Sequence, residues 1–203
     1  LLEIKKIDKK FIKILKELII AKKIYFVGSG YNQIISPLVP FEITSKNLEF
    51  GNYYYKKILG IRPETALINE MAFSETISEI YFDSGYKNII IDFENLVLSP
   101  EDRKNKIPNT FFSNSKKNKI NIIYASSYLF QQFQCCIYGD ISINKYVHIL
   151  NKYKNKIDIS LPIYSGDAEI FNFRAGRFLA ERKKTHDEWA RVYELLDTIT
   201  KQT

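Results

Sequence analysis

Cysteine and histidine are scarce in this chain, with two of each among 203 residues, alongside one tryptophan and one methionine. The two cysteines are neighbours, Cys135 and Cys136. A disulfide between adjacent residues is strained, so no disulfide framework is available. The pattern fits a reducing cytoplasm. His148 and His186 stand apart, and neither has a ligand partner at metal spacing. No Ser-His-Asp arrangement or nucleophile elbow is readable. Glycines number only eight. Gly28-Ser29-Gly30 is followed by neither a third glycine nor Gly-Lys-Ser/Thr, so the dinucleotide and P-loop patterns are not met. No signal peptide or long apolar run is visible. The expectation is a chain with no metal, no cofactor and no membrane partner.

What is present is an ordinary globular composition, 45% hydrophobic and 26% charged, with 14 Tyr and 14 Phe. Aromatic rings build cores, and they also stack on the apolar faces of sugars. The formal net charge is +7, which favours polyanion binding in principle. The lysines are scattered beside asparagines, as in Lys116-Lys117-Asn118-Lys119, and no Arg-rich stripe appears. We therefore expect solvated lysines and no nucleic-acid partner. Oligomeric state is not legible.

Strand and helix patterns alternate along the chain. Residues 3–22 place Ile4, Ile7, Phe11, Ile14, Leu15 and Leu18 at helical spacing. Ile24–Val27 reads as a buried strand. Residues 47–59 read as a helix stopped by Gly60, and Thr65–Ile68 as a weak strand. A helix over 74–84 has Ser74 as N-cap and Gly85 as its stop. Asn88–Phe93 and Ile120–Tyr124 are strands, and 99–119 is a long surface loop. Helices follow at 126–136 and 142–155, and Ile157–Ile163 is extended. Thr185-His186-Asp187-Glu188 resembles a capping box that opens a helix with Trp189, Val192, Leu196 and Ile199 on its apolar face. Such βα alternation implies an α/β fold, with parallel strands and outer helices, as a barrel or an open sheet. About five strand units are countable.

Two acidic boxes sit after apolar, strand-like stretches: Ala66-Leu67-Ile68-Asn69-Glu70-Met71-Ala72 and Tyr164-Ser165-Gly166-Asp167-Ala168-Glu169. Loops at the carboxyl ends of parallel strands form the functional rim of such folds. Two carboxyl groups converging there are the equipment for glycosidic bond cleavage or transfer. Glu70 and Asp167 are the catalytic candidates. Taken singly, each is as readily a helix-start acid or cap. Tyr31, Asn32 and Gln33 offer a polar rim to hydroxyl groups. Arg174, in Phe173-Arg174-Ala175-Gly176-Arg177-Phe178, can hold a carboxylate or a sugar hydroxyl.

The order of these segments resembles glycoside hydrolase family 57. Gly28-Ser29-Gly30-Tyr31-Asn32-Gln33 through Pro40 is similar to its second sequence region, and Ile61-Arg62-Pro63 through Ala72 to its third. Tyr164–Glu169 with Arg174–Phe178 is similar to its fourth. The resemblance implies an incomplete (β/α)7 TIM-like barrel. It implies a retaining mechanism on α-glucan-like substrates, with Glu70 as nucleophile and Asp167 as acid/base. Tyr164, Glu169 and Arg174 join Tyr31, Asn32 and Gln33 as substrate-binding residues. In a retaining enzyme the two carboxyl groups lie about 5–6 Å apart. Leu67 stands where the family commonly has Trp, so the sugar is left open. The His-Gln-Pro segment expected near a first strand is absent. The expectation is one barrel-type domain over 1–203, cut at its N-terminus. Two other readings are a metal-dependent polysaccharide deacetylase-like barrel and a non-catalytic carbohydrate-binding barrel.

Overall fold

The structure is a computed structural model that describes residues 1–92, 110–112, 119–156, 165–166, 171–172 and 187–202. Contacts divide the chain into two compact units, Leu1–Tyr124 and Ala125–Thr203.

The first unit opens with two helices, α1 (Leu2–Ile7) and α2 (Lys9–Ile20), rather than one. Asp8 adopts an extended conformation between them, and its carboxylate accepts the Phe11 amide at 2.8 Å. An N-cap of this kind starts a new helix and so ends the old one. The break also turns the apolar face. Ile12 is buried with Ile58 and Leu59, and Leu15, Ile19 and Phe26 pack against them. Of the predicted stripe only Leu15 joins that cluster. Ile4, Ile7, Phe11, Ile14 and Leu18 are exposed.

The stretch 24–27, expected as a strand, joins no ladder, and the residue after it, Gly28, makes an isolated parallel bridge to Ala66. Tyr25 and Val27 face solvent and Phe26 turns inward. A short run of four apolar residues is thus a half-exposed edge rather than a buried strand. Helix α3 (Phe41–Leu59) follows and ends at Gly60, whose φ of 80° satisfies the left-handed C-cap. It begins six residues earlier than its apolar spacing suggests, after Pro40.

Strand β1 (Thr65–Leu67) and β2 (Asn88–Asp92) pair in parallel, Thr65 with Asn88 and Leu67 with Ile90. Helix α4 (Glu75–Asp83) connects them, and Ser74 sits at its N-cap. Strand β3 (Thr110–Phe112) lies inside the stretch expected to be loop. It pairs antiparallel with β4 (Lys119–Ala125), and the sheet order is β1-β2-β4-β3.

Side chains alternate across the sheet with a period of two. One face buries Ala66, Ile68, Ile89, Ile91, Ile120, Ile122 and Tyr124. Burying an isoleucine contributes roughly 2 kcal/mol. The other face carries a polar ladder. Asn88 Nδ2 donates to Thr65 Oγ1 at 3.1 Å, and Asn121 Nδ2 donates to Asn88 Oδ1 at 3.1 Å. The described residues thus show an α/β architecture with a parallel strand pair and helices.

The second unit holds α5 (Ser127–Ile137), α6 (Ile143–Lys156) and α7 (Glu188–Gln202). Phe133, Cys136, Ile137, Tyr146, Val147, Phe171, Val192 and Leu195 form its core. On α7 the buried face is Val192 and Leu195, with Ile199 packed beside them, while Trp189 and Leu196 are exposed. Asp187 starts the helix, accepting the Ala190 amide at 3.1 Å and the Asn172 side-chain amide at 3.0 Å. These bonds hold its carboxyl below the usual range, the Asn172 bond foremost. Thr185 and His186 of the expected capping box, and residues 157–163, lie outside the described residues. The Arg191 guanidinium donates to the carbonyls of Cys136 (2.8 Å) and Ile141 (3.4 Å), closing the end of α5. His148 is exposed on α6.

Buried tyrosines give this core an alkaline limit. Burial pushes Tyr81 up to about 12, against a partial offset from its hydrogen bond with Ser36. Tyr124 is likewise pushed up to about 12 by burial. A raised folded-state pKa keeps stability intact below the unfolded value near 10. That stability is lost as pH rises through the folded value. Urea midpoints are expected to hold to about pH 10 and fall progressively toward pH 12. Tyr81→Phe flattens that decline, and an unchanged slope in this variant would contradict the assignment.

Candidate functional site

Glu70 lies on a single 3₁₀ turn, Asn69–Met71, immediately past the carboxyl end of β1. The amides of Met71 and Ala72 bond back to the carbonyls of Ile68 (3.0 Å) and Asn69 (3.2 Å). Glu70 and Met71 both take left-handed backbone angles, φ 55° and 52°. A non-glycine residue there costs roughly 1–2 kcal/mol. Two in succession persist only where their surroundings hold them, and such strain concentrates at functional turns. The Glu70 side chain is exposed.

The loop of residues 29–34 supplies the facing wall. Gln33 Nε2 donates to Glu70 Oε1 at 3.1 Å. Among the described residues this bond engages one of the two carboxylate oxygens. The loop itself is anchored from several elements. On α3, the Asn47 side chain accepts the Asn32 amide (2.8 Å) and donates to the Asn32 carbonyl (2.9 Å). The Tyr55 hydroxyl donates to the Ser29 carbonyl and accepts the Ser29 amide, both at 3.0 Å. Tyr86 adds a longer bond to the same carbonyl at 3.4 Å. At the end of β1, Asn69 Oδ1 accepts the Ser29 hydroxyl at 2.8 Å. Its amide donates to the carbonyls of Ile34 (3.3 Å) and Asn32 (3.4 Å).

Tyr31 turns to the α3 surface instead. Its ring stacks on Tyr54 with centroids 5.1 Å apart and tilts toward Phe50 at 6.3 Å. Tyr31, Phe50 and Tyr53 are exposed, and the Lys57 ammonium lies 5.2 Å from the Tyr53 ring centre. Of the three residues expected to form a polar rim, Gln33 meets Glu70, Asn32 is held by its backbone, and Tyr31 joins an aromatic surface. Asp167, Tyr164, Glu169 and Arg174 lie outside the described residues. So does the expected spacing of Asp167 from Glu70.

Sequence reading missed Asn47, Tyr55 and Asn69, the residues that hold the loop. Asn69 stood inside the acidic box and Asn47 and Tyr55 inside a predicted helix, but isolated polar residues carry no periodic signal. Asp92 was also passed over. It is buried at the carboxyl end of β2, on the same end of the parallel pair as Glu70. Among the described residues no group of three or more His, Cys, Asp or Glu side chains is placed to hold a metal, and no helix is long and apolar enough to cross a membrane.

A parallel-stranded α/β protein with a glutamate on a strained turn at a strand's carboxyl end is the class defined here. The model of glycosyl hydrolase family 57 matches residues 1–138, and the chain belongs to that family. Among curated proteins none matches it. The 4-α-glucanotransferase of Thermococcus litoralis is 17% identical, with a TM-score of 0.66 over 97% of this chain. The family 57-type branching enzyme of Pyrococcus horikoshii is 17% identical, with a TM-score of 0.53 over 68%. An exo-type maltose-forming amylase from Pyrococcus sp. ST04 is 11% identical, with a TM-score of 0.57 over 86%. At these identities the likeness is one of fold. The chain spans 28% of the length of each of the three.

Gly51 ties helix α3 to the loop. A Cβ there would lie 2.6 Å from the Ser29 carbonyl oxygen. Alanine improves helix propensity by about 1 kcal/mol. Overpacking against backbone costs typically 1–3 kcal/mol. The clash is expected to win, so Gly51→Ala should lower the urea midpoint despite the better helix former. Tyr55→Phe, which strips both Ser29 bonds, should cost about 1–3 kcal/mol. A rise in stability in both variants would show that the loop is not held as described.

Proposed function

We propose that this chain carries part of the catalytic apparatus of a retaining enzyme acting on α-glucan-like saccharides, with Glu70 as nucleophile and Asp167 as general acid and base. The observation that carries the reading is the placement of Glu70 in a family 57 chain. It sits on a rigid turn past a parallel strand, with one carboxylate oxygen held by Gln33. The activities in the names of the similar structures, glucan transfer, branching and maltose formation, agree with it.

The chemistry then runs in two halves. Glu70 attacks the anomeric carbon while Asp167 gives its proton to the departing glycosidic oxygen. A glycosyl ester on Glu70 results. Asp167, now a carboxylate, takes a proton from water or from an acceptor sugar hydroxyl. That oxygen attacks the anomeric carbon and frees Glu70. Water gives hydrolysis and a sugar gives transfer. A nucleophile must be held within a few tenths of an ångström of its line of attack, and the turn at 69–71 supplies that mount.

Around this centre we assign Tyr31, Asn32, Gln33, Tyr164, Glu169 and Arg174 to saccharide binding. Tyr31 offers a ring face, and Gln33 serves both the substrate and Glu70. We read residues 1–203 as part of one incomplete (β/α)7 barrel-type domain. The parallel β1–β2 pair with α4 between its strands supports that reading. A cytoplasmic setting fits the two free thiols, Cys135 and Cys136.

The test combines turnover and trapping. Maltooligosaccharides and aryl α-glucosides are incubated with the protein, and products are followed by chromatography. Glu70→Gln and Asp167→Asn are each expected to lower kcat/KM by about 10³-fold or more. A fluorinated α-glucosyl donor is expected to leave a covalent sugar on the peptide containing Glu70, seen by mass spectrometry. Full activity in Glu70→Gln, or an adduct on another residue, would overturn the proposal.

A further inference from the structure

We infer that Asn69 is a positioning residue that sets Gln33 against Glu70, an inference that rests on reading Glu70 as the nucleophile. The geometry is a closed ring. Asn69 Nδ2 donates to the carbonyls of Asn32 and Ile34, the residues on either side of Gln33. Gln33 reaches from between those two grips to Glu70 Oε1. Glu70 is the next residue after Asn69, so the ring returns to its start through one peptide bond. Ser29 Oγ, bonded to Asn69 Oδ1 at 2.8 Å, fixes the amide plane so that its Nδ2 faces the loop.

Other anchors do not duplicate this grip. Tyr55 holds the loop at Ser29, and Asn47 holds it at Tyr31 and Asn32. Both lie N-terminal to Gln33. On its C-terminal side Asn69 grips the adjacent Ile34 carbonyl at 3.3 Å, and Ser36, two residues further on, is bonded to Tyr81. The side chain at 69 must accept from a hydroxyl and donate to carbonyls at the same time. An amide can do both. A carboxylate of equal size lacks the donors, and an apolar residue lacks both.

The placement also bears on the strained turn. Glu70 and Met71 hold left-handed angles, which L residues adopt at a cost. Asn69 ties the residue before the strain to a loop that is itself fastened to α3. Freed from that tie, the turn can relax and carry the carboxylate away from its line of attack. A displacement of about 1 Å can cost 10²-fold in rate.

The experiment uses Asn69→Ala, Gln33→Ala and the double variant, with Ser29→Ala as a milder probe that removes only the bond orienting Asn69. Two readouts are taken. The first is the rate of covalent trapping by the fluorinated glucosyl donor. Asn69→Ala and Gln33→Ala are each expected to slow it by about 10- to 100-fold, and the double variant by no more than the slower single one. The second is the Gln33 side-chain amide signal in ¹⁵N-labelled protein, assigned by its loss in Gln33→Ala. It is expected to move toward the free-glutamine position in Asn69→Ala, and by a smaller step in the same direction in Ser29→Ala. A Gln33 signal unmoved in both variants, or multiplicative rate losses, overturns the inference. Absence of trapping in the wild-type protein overturns the nucleophile reading instead, and the amide signal still decides the role of Asn69.

Discussion

A loop that belongs to no sheet and no helix still has backbone donors and acceptors, and each of them needs a partner. Between residues 29 and 34 those partners come from side chains on other elements. Tyr55 and Asn47 reach from α3, and Asn69 reaches from the end of β1. The candidate site depends on this satisfaction. Without it the Gln33 amide has no fixed address, and the Glu70 carboxylate loses the one side-chain donor described for it. The same demand explains the spacing of α3, which brings Asn47, Gly51 and Tyr55 to one face at intervals of four residues. Gly51 lets the backbones approach, and the two polar residues on either side seize the loop.

The sheet provides the other half of the mount. Its buried face is aliphatic and aromatic, and its burial fixes where β1 ends. The turn at 69–71 is therefore launched from a rigid point. Backbone strain there costs little against the stabilisation of the isoleucine layer beneath it. Glu70 is exposed at that point, and its described side-chain partner is the neutral amide of Gln33.

Much of this was legible in the sequence, and the failures have physical causes. The Ile89-Ile90-Ile91 run with an aspartate after it announced β2, because β-branched residues pack a pleated surface. Gly60 and Gly85 marked helix ends through their left-handed angles. The stretch 24–27 looked as apolar as β2, yet Gly28 alone bridges to β1. Periodicity reports burial potential and cannot tell an edge from a centre. At the N-terminus a regular stripe concealed Asp8, whose capping bond outweighs the pattern on either side. Strand β3 went unseen within a stretch of lysines, asparagines and prolines. At the site, the position of Glu70 followed from its strand. The amides and hydroxyls that hold the loop did not, because each acts across 15 or more residues.

The row of Thr65, Asn88 and Asn121 across three neighbouring strands has one more implication. Sliding β2 or β4 by a single position turns its pattern inside out, so that asparagine enters the oily layer and isoleucine leaves it, and the same slip in β1 would put Thr65 there. The three polar residues thus act as a checksum on alignment. A chain paired one notch out of step is penalised twice, by what it exposes and by what it entombs.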